Sequence, residues 1–268
     1  LYLGRMDHAF FSMILEGATA AAFARGYLVS AICPNVERLN GLLAKVNASD
    51  EFQGIVSCNY DCFDILCPRI PVIYVDMCDP AYHQEISYVA SENEKGAFCI
   101  VEELHRRGYR DMVVYGGAND VNNNCHHRLQ GYLKAFRKLG FADAEKRLFL
   151  GTRSDRFDAA ERLREMLAAF PHLDAIVTTT DNLSVRICDA MAEAGIPRPE
   201  KVLVTGYGNV TGLADGYRIP SVEQQPFHLG ATACNLLLNH LEDEAAPWPV
   251  LQYVNTEPVN LHYAPVKA

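Results

Sequence analysis

The alternation of short apolar runs with longer amphipathic segments is the feature of this sequence that most constrains its fold. The short runs are rich in β-branched and other apolar residues, which is typical of buried strands, and the longer segments have helical periodicity. Strands joined through helices must pair in parallel, because parallel neighbours need a long crossover connection. The sequence therefore predicts a doubly wound α/β fold in which helices cover both faces of parallel sheets.

The predicted elements follow one another closely along the chain. Gly26, Gly108, Gly140 and Gly195 stand where four of the helices should stop. The predicted strands are residues 1–4, 27–33, 54–58, 71–76, 87–90, 112–115, 147–150, 175–179, 201–205 and an extended stretch at 251–260. The predicted helices are residues 11–25, 37–46, 93–107, 128–139, 157–169, 181–194 and 230–241. Asp181 is expected to act as the N-cap of its helix.

Length and charge bound the class of protein. The chain has 268 residues, which is enough for two compact units. With 24 basic and 33 acidic residues its formal net charge is −9, so we do not expect it to bind nucleic acid over a broad face. No apolar run is long enough to span a membrane and no export leader is visible, which favours a soluble protein without a membrane partner.

Cysteine usage favours a reducing cytoplasm, because an odd and scattered set does not suit a disulfide framework. The nine cysteines are Cys33, Cys58, Cys62, Cys67, Cys78, Cys99, Cys125, Cys188 and Cys234. The spacing from Cys58 to Cys67 lacks the close pairs of a zinc site. Cys125 and the two histidines after it are adjacent, which rarely allows a nucleophile to reach a base. We predict no metal, no cofactor and no enzymatic activity.

Eight short segments carry a resemblance to a known family. They are DHAFF at 7–11 with LEG at 15–17, DEFQGIVS at 50–57, IPVI at 70–73, VASENEKG at 89–96, HRLQGY at 127–132, AIVTTTD at 175–181, GIP at 195–197 with VTGYGN at 204–209, and VEQ at 222–224 with LG at 229–230. In this order they resemble the effector-binding domain of the lactose-repressor (LacI) family and, more broadly, the periplasmic sugar-binding proteins. The resemblance covers essentially the whole chain.

The resemblance implies two Rossmann-like lobes with a ligand cleft between them. We expect the first lobe at residues 1–96 plus 225–243, and the second at residues 97–224 plus 244–268. It also implies a homodimer, a sugar-like effector, and contact with operator DNA only through an upstream helix-turn-helix headpiece that is absent from these residues. A solute-binding protein of a sugar transporter would have the same fold, and it remains the alternative.

Residues that follow predicted strands are the candidate ligand contacts, since open α/β sheets bind ligands beyond the carboxyl ends of their strands. Asp7 could accept hydrogen bonds from hydroxyls and Phe10 could form an apolar wall, or they could be a helix cap and a core residue. Asn93 offers a donor and an acceptor, although it could instead cap a helix. Asn122 and Asn124 lie in a loop that resembles the family's ligand loop, or they could simply be turn residues.

Arg128 is the strongest single candidate, because its guanidinium has five donors in a fixed fork. At the first turn of a helix an arginine is unfavourable, which favours a functional reason for it, and we expect R128A to abolish binding with the fold intact. Arg153 could add a second positive charge or face solvent. Asp181 could contact the ligand as well as cap a helix. Asn209 and Gln224 complete the predicted set.

Two departures from the family alter the polar lining. Gly208 stands where relatives have an aspartate that often touches the effector, and Thr180 stands where many have asparagine. Losing that carboxylate would shift the pocket towards positive charge, which suggests an anionic effector or one bulkier than a simple hexose. Alternatively, Asp7 or Asp181 restores the carboxylate and a plain sugar fits.

Overall fold

The structure is a computed structural model that describes residues 1–4, 8–33, 41–42, 44–46, 48–58, 70–76, 86–117, 124–151, 159–210 and 212–267. In chain order the elements are β1 (Tyr2–Leu3), α1 (Ala9–Ala24), β2 (Ala31–Ile32), β3 (Ile55–Ser57), β4 (Val72–Val75), β5 (Ser87–Ser91), α2 (Asn93–Arg106), β6 (Met112–Gly116), α3 (Asn124–Lys138), β7 (Leu148–Leu150), α4 (Ala159–Ala169), β8 (Ala175–Thr178), α5 (Asp181–Glu193), β9 (Leu203–Thr205), α6 (Leu213–Tyr217), β10 (Ser221–Glu223), α7 (Pro226–Glu242), β11 (Leu251–Val254) and β12 (Glu257–Val259).

The chain divides into two compact units and passes between them three times. The first unit is Leu1–Ser91 with Gln225–Val254, and the second is Glu92–Gln224 with Asn255–Ala268. The last segment of the first unit extends to 254 rather than to the expected 243, because β11 pairs with β5 in the first sheet. The first pass lies at 91 rather than at 96, because α2 packs against α3 of the second unit.

The first unit contains a six-stranded parallel sheet in the order β11-β5-β4-β3-β1-β2. Helices α1 and α7 pack on one face of it and on each other. Their backbones approach so closely that a Cβ at Gly230 would lie 1.9 Å from the carbonyl oxygen of Ile14. A Cβ at Gly17 would lie equally close to the carbonyl oxygen of Phe227. Glycine at both positions is therefore a requirement of this helix contact.

The second unit contains a four-stranded parallel sheet in the order β7-β6-β8-β9, with a core on each face. Successive residues of β6 point to opposite faces, so Val113 packs with α4 and α5 while Val114 packs with α2 and α3. Strands β10 and β12 form a separate antiparallel pair. The sequence predicted only parallel pairing. The two strands run in opposite directions for a reason of chain path. Strand β10 leads to the crossing from the second unit into the first, whereas β12 comes directly after the chain has crossed back.

Several element boundaries differ from the predictions. Helix α3 begins at Asn124 and α7 at Pro226, each four residues earlier than expected, because polar residues and a proline open these helices without apolar periodicity. Thr180, rather than Asp181, is the N-cap of α5, and its hydroxyl accepts from the backbone N–H of Leu183. The predicted strand at 27–33 is reduced to Ala31–Ile32, and the short helix α6 was missed.

None of the helices in the described ranges is both long and apolar enough to cross a membrane.

Candidate ligand site in the second unit

Arg128 lies in the second turn of α3, with its side chain buried at the carboxyl ends of the strands of the second sheet. Its Nε donates to Asn93 Oδ1 at 2.8 Å, and its Nη1 donates to the carbonyl oxygen of Thr179 at 2.8 Å. The side chain is only 5% exposed. The expectation that Arg128 occupies the first turn, against the helix dipole, is therefore wrong, because α3 begins at Asn124. Burial of the charge beside fixed acceptors explains its place instead.

Tyr207 follows β9 and forms the other wall around this guanidinium. Its ring lies 4.1 Å from Arg128 Cζ, which is a cation–π contact. The Tyr207 hydroxyl donates to the backbone carbonyl oxygen of Asn93 at 3.1 Å. Asn93, as the first residue of α2, therefore binds Arg128 with its side chain and Tyr207 with its backbone. The N-cap residue of α2 is Glu92 rather than Asn93.

The end of β8 carries a dense set of hydroxyl hydrogen bonds. Thr178 Oγ1 and Ser184 Oγ are 2.7 Å apart, and each lies within hydrogen-bond distance of the carbonyl oxygen of Thr205. Tyr132 on α3 donates its hydroxyl to the carbonyl oxygen of Thr178 at 2.7 Å, and its burial raises the pKa of that phenol. These bonds connect α3, β8, α5 and β9 into one buried polar cluster, which fixes the backbone that Arg128 binds.

Asp181 is almost fully buried at the first position of α5. Its Oδ1 accepts from the Ser221 hydroxyl at 2.7 Å, and its Oδ2 accepts from the backbone N–H of Val210 at 2.7 Å. Burial raises the pKa of Asp181, although the hydrogen bonds from Ser221 and Val210 and the charge of Arg128 act in the opposite direction. A Cβ at Gly206 would lie 1.9 Å from Asp181 Oδ1, so glycine is needed for the carboxylate to fit. Asp181 holds the turn after β9 in shape.

Asn209 and Gln224 flank the same turn. Asn209 donates through Nδ2 to Glu223 Oε2 at 2.6 Å and accepts at Oδ1 from Asn260 Nδ2 at 3.1 Å. Gln224 is buried directly after β10. Gly208 has a φ of +120°, a conformation that residues with a Cβ rarely adopt, so the family's aspartate would be strained here.

The structure places the remaining predicted residues as follows. Phe10 is buried in the core of the first unit with Tyr2 and Ile14. Asn124 is buried as the first residue of α3. Asp7, Asn122 and Arg153 lie outside the described residues.

Sequence reasoning missed Tyr207 and Thr179. Thr179 directly follows β8, and Tyr207 lies two residues after the end of β9 in the VTGYGN segment. Strand-end position could have identified them as candidates. In the first unit, the same criterion points to Asp76, a buried carboxylate that follows β4. Within the described ranges, no three histidine, cysteine or acidic side chains are grouped so that they could hold a metal ion.

Comparison with known protein families agrees with this architecture. The family described as the periplasmic binding protein-like domain matches residues 101–260, which is more than half of the chain. The chain therefore belongs to the periplasmic binding protein-like domain family.

Several named proteins are similar to the chain in sequence or in fold. The HTH-type transcriptional repressor CytR of Escherichia coli (strain K12) is 24% identical over 251 residues, which cover 88% of this chain and 70% of the relative. The structure of a transcriptional regulator CelR–cellobiose complex matches with a TM-score of 0.81 at 22% identity, over 96% of this chain and 82% of that one. A ribose-bound LacI family regulator from Enterococcus faecium matches with a TM-score of 0.77 at 18% identity, over 96% and 95%.

The structural likenesses show the two-lobed fold, and the sequence relative is a repressor of transcription. The predicted resemblance to LacI-family regulators is thereby confirmed, since relatives of similar sequence and similar fold are named as regulators of transcription.

Proposed function

We propose that the buried polar cluster around Arg128 is the part of the second unit that contacts a small-molecule effector. The observation that carries this is the arrangement of Arg128 at the carboxyl ends of β6, β8 and β9, where open α/β sheets bind ligands. Maintaining a buried guanidinium costs desolvation energy, so its retention at this edge favours a functional role.

The effector we propose is a sugar-like molecule with several hydroxyl groups. An arginine fork, an asparagine amide and threonine carbonyls together provide donors and acceptors of the kind that hydroxyls need. Cellobiose and ribose are the molecules named in the two structural neighbours, which makes them the first probes to use.

The charge of the effector depends on what replaces the missing carboxylate at position 208. A Cβ at Gly208 would lie 3.5 Å from Asp181 Oδ2 and 3.5 Å from Gln224 Oε1, so acceptor oxygens are already present beside this position. This supports a neutral sugar ahead of an anionic one. An anionic effector stays the alternative, and Arg153 would be the additional cation in that case.

A thermal-shift screen followed by calorimetry tests the site. Cellobiose, ribose and their phosphate or uronate counterparts should be compared, because a ligand that binds only the folded protein raises the melting temperature. We expect the neutral sugar to bind more tightly than its anionic counterpart at both low and high salt. An anion that binds more tightly at both salt concentrations would overturn the neutral assignment, whereas an advantage at low salt alone reflects steering by the surface.

The output we propose is control of operator binding by a linked helix-turn-helix headpiece in a cytoplasmic homodimer. Phe23 near the end of α1 and Leu28 after it are 75% and 90% exposed, which is unusual for such large apolar side chains and favours this end of α1 as a dimer surface. Ala18 and Ala22 of α1 are not part of this surface, because they pack in a cluster with Cys234 and Leu238 of α7.

Sedimentation velocity at micromolar concentration tests the dimer. We expect twice the mass of one chain for the wild type, and one chain mass for the F23E/L28E double variant, in which two charges would face each other across a symmetric contact. A wild-type monomer at every concentration would instead favour the solute-binding alternative, since such proteins commonly work alone.

A further inference from the structure

Tyr207 is part of a core cluster of the second unit and also makes two polar contacts. One face of its ring is 4.1 Å from the guanidinium carbon of Arg128, and its hydroxyl bonds to the backbone of Asn93. The residue is 1% exposed, so the cation–π contact is screened little by water.

The fold makes room for the Tyr207 hydroxyl at one particular place. A Cβ at Gly96 would lie 2.7 Å from the Tyr207 hydroxyl oxygen and 2.5 Å from Thr256 Oγ1. Glycine at this position of α2 therefore allows the ring to lie against the helix with its hydroxyl directed to Asn93.

The guanidinium of Arg128 is constrained on three sides. Hydrogen bonds from Nε to Asn93 and from Nη1 to Thr179 fix its rotation within its own plane. Both bonds lie close to the plane of the guanidinium and each can bend considerably at small cost, so these two bonds restrain the tilt of the plane only weakly. The Tyr207 ring removes that freedom because it lies against the flat face.

We propose that Tyr207 is a positioning residue, which fixes the plane of the Arg128 guanidinium so that the fork presents its donors to the effector in one orientation. The inference rests on the proposed role of Arg128 in effector binding. An arginine that is already oriented loses less freedom when it binds, which strengthens binding without a new contact.

Nuclear magnetic resonance of ¹⁵N-arginine-labelled protein tests the positioning without any effector. In the wild type we expect the Arg128 Nε–H signal, identified by its loss in R128K, to be shifted upfield by the Tyr207 ring and to show a nuclear Overhauser effect to the ring protons. In Y207F, which keeps the ring, the shift should remain. In Y207L, the upfield shift should vanish and solvent exchange of this proton should be about tenfold faster.

Two results would overturn the proposal. One is the absence of an Overhauser effect between the Arg128 Nε–H and the Tyr207 ring in the wild type, a measurement that does not depend on any variant folding. The other is an unchanged Arg128 exchange rate in folded Y207L.

Calorimetry with ribose and cellobiose then separates this proposal from the proposed function. For whichever sugar the wild type binds, Y207L should weaken binding about tenfold and Y207F less than about twofold. In an R128K background, Y207L should cause no further loss, because there is no planar guanidinium left to orient. If neither sugar binds, the sugar assignment fails while the resonance measurements still decide the role of Tyr207.

Discussion

Each unit has a pair of helices whose backbones meet at a glycine, but the contact has different consequences in the two units. In the first unit, Gly17 and Gly230 bring α1 and α7 together among apolar and alanine side chains. In the second, a Cβ at Gly131 of α3 would lie 2.2 Å from the carbonyl oxygen of Glu94 on α2. This close approach of the two helices lies one turn away from Arg128, and it places the Arg128 side chain beside Asn93.

Close helix packing therefore acts as a purely structural contact in the first unit, whereas in the second unit it brings polar groups together. In the first unit, apolar side chains surround the helix contact. A substitution there acts only through the side-chain volume that it adds or removes. In the second unit, the same kind of contact sets the 2.8 Å distance between Arg128 Nε and Asn93 Oδ1. Substitutions in the two units should therefore separate stability from binding.

The largest effect should come from G230V in the first unit. Its side chain would overlap the backbone of α1, so the helices must separate, and we expect the free energy of unfolding of this unit to fall by about 3 kcal/mol or more. Urea denaturation followed by tryptophan fluorescence measures it, because Trp248 is the only tryptophan and belongs to the first unit. G41A is the control, since a Cβ there meets no atom of the described residues within 4 Å. Equal stability of G230V and wild type would contradict the described helix contact.

R128A in the second unit should come next. The sequence suggested that its fold would stay intact, but the truncation leaves the buried acceptors of Asn93 and Thr179 without their donor. We therefore expect a loss of about 2–4 kcal/mol in the free energy of unfolding together with loss of effector binding. Hydrogen exchange in α3 and urea denaturation followed by circular dichroism measure it. The exposed Arg186 provides the control, and R186A should change stability by less than about 0.5 kcal/mol.

D181N should reveal a pH dependence specific to the second unit. Because burial raises the pKa of Asp181, the folded protein holds this proton more tightly than the unfolded chain does. The stability of the wild type relative to D181N should therefore fall as the pH rises from about 4 through the raised pKa, and then level off. Urea midpoints of both proteins at several pH values measure this difference. D215N, at an exposed position, is the matched Asp-to-Asn control.

The smallest expected effect is a difference in labelling rate between one buried thiol of the first unit and one of the second. Burial raises the pKa of Cys58 in the first unit and of Cys188 in the second to about 12, so at pH 8 only about one thiol in ten thousand is ionised. Iodoacetamide labelling with peptide mapping should modify the exposed Cys33 first and leave both buried thiols unmodified until the protein unfolds. Faster labelling of one buried thiol would show that its unit opens locally more often.

The architecture could be predicted from the sequence because its signals are local. The apolar run of β8 and the glycine that follows α5 each act within a few residues, and so does the alternation that imposes parallel pairing. The choice of Arg128 also came from local reasoning about donor geometry. The reason given for it was wrong, since the start of α3 carries no apolar periodicity and was placed four residues too late.

Contacts between residues that are distant in the chain follow from the tertiary structure alone. Asn93, Arg128 and Tyr207 are separated by 35 and 79 positions, and they meet because Gly131 and Gly96 allow α2 to approach α3 and the residues that follow β9. Asp181 is read locally as a helix cap, yet its carboxylate binds Ser221 and Val210 instead. Local propensity cannot determine such partners, because they depend on which surfaces the whole chain buries together.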